Sequence, residues 1–151
     1  MLERLRKVYI SNALNEGMTV LSAKTGNRRN TITPVCDMVQ GFIEQMGYET
    51  RQINRIRLAV EEMLTERIEN AYDENGMITL DVILLPDRLR IRFTDSGRKY
   101  RLDDADASIS AKIILANVDA YGSSVSSSKL QGIDLDWQYA EGFDVRSFLM
   151  K

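Results

Sequence analysis

Hydrophobic and polar positions alternate with two periods along this chain, and the changes of period mark the elements. Leu2, Leu5, Val8, Tyr9 and Leu14 make a weak helical stripe over 2–14. Residues 18–24 read as a short strand, followed by a polar loop from Gly26 to Asn30. Thr33 offers an N-cap hydroxyl and Pro34 suits a first helical turn. Val35, Met38, Val39, Phe42, Ile43 and Met46 then recur at three/four spacing up to Gly47. The clearest element is a helix over 50–72, striped by Ile53, Ile56, Val60, Met63, Leu64, Ile68 and Ala71.

The period then switches to two. Ile78, Leu80, Val82 and Leu84 alternate with Thr79, Asp81, Ile83 and Leu85; after Pro86-Asp87, Leu89, Ile91 and Phe93 alternate with Arg88, Arg90, Arg92 and Thr94. This pattern predicts a β-hairpin with a tight turn. A third helix is expected over 108–121 with Gly122 as its stop, then strands over 123–130 and 132–139 about a Gln131-Gly132 turn. The tail from Phe143 adds a short helix or an edge segment. Hairpins with intervening helices predict an α+β two-layer sandwich, a mostly antiparallel sheet with helices on one face. The length of 151 residues suits a single domain over 1–151.

Composition narrows the chemistry. A net charge of −2 gives no basic field for nucleic acid or an anionic membrane. The absence of histidine excludes a Ser-His-Asp triad and a His-ligated metal. A lone cysteine, Cys36, excludes a thiolate zinc cluster. Charged residues near the N-terminus interrupt any signal-peptide core and no apolar run is long enough to span a bilayer, so a cytoplasmic protein is expected. No glycine-rich P-loop or GxGxxG occurs.

Two motifs remain. The helix Ile56-Arg-Leu-Ala-Val-Glu-Glu-Met-Leu-Thr-Glu-Arg-Ile-Glu-Asn-Ala-Tyr72 is followed, after the hairpin, by Asp95-Ser96-Gly97. Together they resemble the GHKL (histidine-kinase-like) ATPase superfamily with its Bergerat fold. The resemblance is strongest to anti-sigma-factor serine-protein kinases, whose helix reads roughly Leu-Ala-Val-x-Glu-Ala-Leu-Thr-Asn-x-x-x-His-Ala-Tyr. It covers roughly 18–139. The resemblance implies that Glu62 is the catalytic glutamate and that position 66 holds the metal against the phosphates. It further implies that Asp95 accepts the adenine amino group and that Gly97 lets the base approach. Asn70 stands at the family's histidine position, and Lys99 is among the nearby cations, with Arg98, Arg101 and Lys112.

This sequence departs from the pattern at two places. Glu66 replaces the metal-binding asparagine, and the stretch from Asp103 to Lys112 has no glycine to cradle a phosphate, only Asp103, Asp104 and Asp106. Two like charges ~4 Å apart repel by about 4 kcal/mol at an effective dielectric of 20. Glu66 therefore disfavours a triphosphate unless Mg²⁺ neutralises it. Residue chemistry alone reads Glu62 and Glu66 as a solvated helix face, Asn70 as a core or capping amide on the apolar stripe, Asp95-Ser96-Gly97 as a strand-end turn, and the arginine stripe as a solvated sheet face or a partner for Asp81.

Three functions stay open, in this order. The first is a regulatory ATPase-like domain that binds a protein partner, with weak ATP/ADP–Mg²⁺ binding or none. The second is an interaction module without nucleotide. The third is an active serine-protein kinase with Glu62 as base and Glu66 as metal ligand. Sigma factors, anti-sigma antagonists and a homodimer are the partners the resemblance implies.

Overall fold

The computed structural model describes residues 1–104, 108–124 and 129–151. Ten main elements follow in order: α1 (Leu2–Glu16), β1 (Met18–Gly26), α2 (Ile32–Ile43), α3 (Thr50–Asn70), β2 (Met77–Leu84), β3 (Arg88–Asp95), α4 (Ile109–Ala116), β4 (Ala120–Ser124), β5 (Gln131–Gln138) and α5 (Val145–Leu149). The strands form one five-stranded sheet in the order β1-β2-β3-β5-β4, and every pairing is antiparallel.

The period-two pattern sets the layers. Val82 lies opposite Ile91, which lies opposite Leu135; Leu80 faces Phe93, which faces Ile133. These side chains are buried against Val39 and Ile43 of α2, Ile56, Val60 and Leu64 of α3, and Ile114 of α4. The expected two-layer α+β sandwich is therefore observed. The hairpin turn forms as anticipated, with Leu85 N–H donating to Arg88 O at 2.9 Å around Pro86-Asp87. A reciprocal capping box between Glu49 and Gln52 starts α3.

Three expectations need correction. α2 begins at Ile32 with Thr31 as N-cap, so Pro34 is its third residue; a 3₁₀ turn over Arg29–Thr31 leads the chain in. The third helix stops at Ala116, well short of 121. Ala120 to Ser124 instead pairs with β5, and the indole N–H of Trp137 donates to Asn117 O at 2.7 Å, tying the helix end to the sheet. The expected Gln131-Gly132 turn lies inside β5, and residues 125–128 of the anticipated 123–130 strand lie outside the described residues, as does Asp106.

The arginine stripe finds its partners on β5. Arg90 grips Asp136 at 2.9 and 3.0 Å, and Arg92 grips Asp134 at 2.7 and 3.1 Å, on the sheet face away from α3. Asp81 is instead bonded by Ser22 Oγ at 2.6 Å. No helix among the described residues is long and apolar enough to cross a membrane.

Candidate functional site

The predicted site residues come from the C-terminal half of α3 and the turn after β3. Asp95 ends β3 with its carboxylate turned inward, its side chain only 1% exposed. Its partner is Arg67, which the motif left as a free position. Arg67 Nε donates to Asp95 Oδ2 at 2.8 Å and Nη2 donates to Oδ1 at 2.9 Å. Two further donors reach Oδ1: Gly97 N–H at 2.9 Å and Gln131 Nε2 at 3.1 Å. Both carboxylate oxygens are thus engaged by groups of this chain.

Arg67 uses four of its five N–H donors, two of them on Asp95. Nη1 donates to Glu66 Oε2 at 3.1 Å, Nη2 to Arg98 O at 2.5 Å, and the Tyr100 ring lies 5.7 Å from the guanidinium carbon. Burial opposes the charge on Arg67, but the hydrogen bonds and charges of Asp95 and Glu66 together outweigh it and raise its pKa. A bidentate, buried arginine–carboxylate pair of this kind fixes geometry as well as charge.

Gly97 has a local reason to be glycine. A Cβ there would lie 2.3 Å from the carbonyl oxygen of Ala71, and Arg98 N–H donates to that same oxygen at 2.8 Å. The space that a missing side chain leaves is occupied by the end of α3. Gln131 closes the turn from the other side, donating to Arg98 O at 2.6 Å and accepting from Tyr100 N–H at 3.1 Å.

The remaining candidates separate. Glu66 is buried beside Arg67, rather than on the solvated face expected of it. Asn70 is exposed at the end of α3, not on the apolar stripe, and donates to Glu66 Oε1 at 3.2 Å. Glu62 stands one turn earlier and accepts from Ser110 Oγ of α4 at 3.3 Å. Lys99 points outward and borders an open cavity of about 780 Å³ with Gly97, Tyr100, Arg101, Ser123 and Gln131. Arg98 pairs with Asp73, and Arg101 with Asp103 at 3.6 Å. No group of three or more metal-ligating side chains occurs among the described residues.

Arg67 is the residue that motif reading passed over. Its signal was present: it follows Met63 by four positions and Leu64 by three, which places a charge on the buried stripe. A buried arginine needs a buried acceptor.

Comparison with known proteins agrees with this layout. The family profile described as "Histidine kinase-like ATPase domain" matches residues 26–120. A serine-protein kinase RsbW of Halalkalibacterium halodurans is 37% identical over 65 residues, 43% of this chain and 40% of that protein. The RsbW of Bacillus subtilis is 30% identical over 67 residues, 43% of this chain and 42% of that protein. The chain thus matches about two fifths of the length of these curated relatives. Among solved structures, the RsbU and RsbW domains of Rv1364c from Mycobacterium tuberculosis align with a TM-score of 0.61 at 14% identity, over 83% of this chain and 34% of that one. A chain of the SiaB-SiaC complex from Pseudomonas aeruginosa aligns with a TM-score of 0.62 at 8% identity, over 90% of this chain and 99% of that one. At these identities the solved structures speak for the fold, while the profile covers well over half of the chain. The chain belongs to the histidine kinase-like ATPase domain family.

Proposed function

We propose that this chain is a regulatory domain of the anti-sigma serine-kinase kind that works by binding a protein partner, with little or no ATP turnover. The single observation behind this reading is the saturation of Asp95 by Arg67. In the resembled family the equivalent aspartate accepts the adenine amino group. Here its oxygens are already engaged by Arg67, Gly97 N–H and Gln131. A base would have to displace a buried ion pair, and breaking such a pair costs about 3–5 kcal/mol. On the side of Gly97 where a Cβ would point, Ala71 O occupies the space. Asp95 engaged in this way is a poor acceptor for an adenine amino group, which supports weak or no nucleotide binding, and no phosphoryl-transfer step is assigned to Glu62 or Glu66.

The partner class follows from the relatives. Those relatives are named serine-protein kinase RsbW, and one fold neighbour was solved as a SiaB-SiaC complex. A sigma factor or an anti-sigma antagonist is the corresponding partner here.

Calorimetric titration with ATP and ADP, with and without Mg²⁺, tests the reading. The expected result is no heat and no thermal stabilisation at millimolar nucleotide, where a site of much lower Kd adds about 1 kcal/mol or more. Micromolar, Mg²⁺-dependent binding that Asp95→Asn abolishes would overturn it.

A further inference from the structure

α1 is apolar on two opposite faces, and only one of them is buried. Ile10 and Leu14 enter the core. Leu2, Leu5, Val8 and Tyr9 are 84%, 60%, 53% and 68% exposed, and they lie roughly 150° around the helix from the buried pair. Their spacing of three, three and one, with Leu5 and Tyr9 four apart, makes one continuous stripe over two turns. A helix whose second face is apolar has a second surface to cover. α1 also lies outside the stretch that matches the family profile, residues 26–120.

The edges of the stripe are basic. Arg6 borders the stripe beside Leu2 and Arg4 borders it beside Val8, each roughly 40° outside it. Neither makes an ion pair or a hydrogen bond among the described residues. Lys7, further round, is held by Glu3 at 4.0 Å. A second copy of the chain fits this face poorly. Pairing through the Leu2–Tyr9 stripe in either direction sets Arg4 and Arg6 of one copy against those of the other, and like charges at a helix seam repel.

We infer that the Leu2, Leu5, Val8 and Tyr9 face of α1 docks an amphipathic helix of a partner protein whose apolar seam is flanked by aspartate or glutamate. The apolar seams pair, as in other helix recognition, while Arg4 and Arg6 select the flanking charge. This goes beyond the proposed function. A silent nucleotide titration leaves it standing, and its own failure leaves the closed Asp95 turn unaffected.

The chain is titrated into two dye-labelled synthetic helical peptides with the same leucine seam, one flanked by glutamate and one by lysine, and fluorescence anisotropy is read. Saturable binding of the glutamate peptide alone is expected. Leu5→Ser with Tyr9→Ser weakens it about tenfold or more, as for central interface anchors. Arg4→Glu with Arg6→Glu moves the preference to the lysine peptide, an outcome that loss of folding could not produce. The inference is overturned if neither peptide binds, if both bind equally, or if the substitutions at Leu5 and Tyr9 change nothing. It is likewise overturned if sedimentation shows a dimer of the chain that Leu5→Ser converts to monomer, since a second copy then covers the face.

Discussion

Replacing Arg67 with methionine isolates the buried pair at the centre of the site. The substitution keeps most of the side chain's apolar length and removes the guanidinium. Asp95 Oδ2 then loses its one donor among the described residues, while Oδ1 keeps Gly97 N–H and Gln131 Nε2. Glu66 Oε2 loses its partner in the same step, while Arg98 O keeps only Gln131 Nε2. Both side chains of the pair are only 1% exposed, so water cannot replace the lost bonds without opening the turn. Removing one member of a buried pair costs about 3–5 kcal/mol. That is a large part of the ~5–15 kcal/mol that holds a domain folded. With a urea slope of ~1–3 kcal/mol per molar, the unfolding midpoint by circular dichroism is expected to fall by roughly 1–2 M or more. Adding Asp95→Asn removes the stranded charge, and the double variant is expected to regain roughly half of the loss. A single variant within about 1 kcal/mol of the parent, or a double variant whose loss is simply additive, would refute the account.

Two further outcomes follow from the same packing. Gly97→Ala is expected to cost about 1–3 kcal/mol, because the new methyl meets backbone rather than a flexible side chain; an unchanged thermal melt would show that the turn is free to move. Burial pushes the Cys36 thiol from 9.0 up to about 11, against a smaller opposing pull from Arg57. The neutral thiol is the form the fold favours, so this contribution to stability is full below pH 9 and is lost as pH rises through about 11. Native protein at about pH 8 is accordingly expected to resist a disulfide-exchange reagent that modifies the urea-unfolded chain rapidly, and fast labelling of the folded protein would contradict this.

Much of the fold was legible because it is written in local periodicity. The 78–95 hairpin follows from its alternation and the Pro86-Asp87 turn, and α3 from its long apolar stripe. The end of α4 was not legible. Residues 117–121 look helical by composition, but Trp137 and Asp136 on β5 claim Asn117 and Asp119 through hydrogen bonds that no local pattern announces. The candidate site was half legible. The motif singled out Glu66, Asp95 and Gly97, which the structure gathers around one buried turn, and passed over the arginine that joins the first two.

The sequence by itself determined most of the helices and strands and which face of α2, α3, β2 and β3 turns inward, since a side-chain period of 3.6 or 2 needs only near neighbours; on α1 the structure buries Ile10 and Leu14 and leaves the expected Leu2, Leu5, Val8 and Tyr9 stripe exposed. The tertiary structure alone decided what the charged groups do. Arg67 meets Asp95 across 28 positions, and Arg90 meets Asp136 across 46. Such pairs depend on the path of the chain between them. In a low-dielectric turn a charge is costly without its partner, so whichever group the chain brings there fixes what the site can still bind.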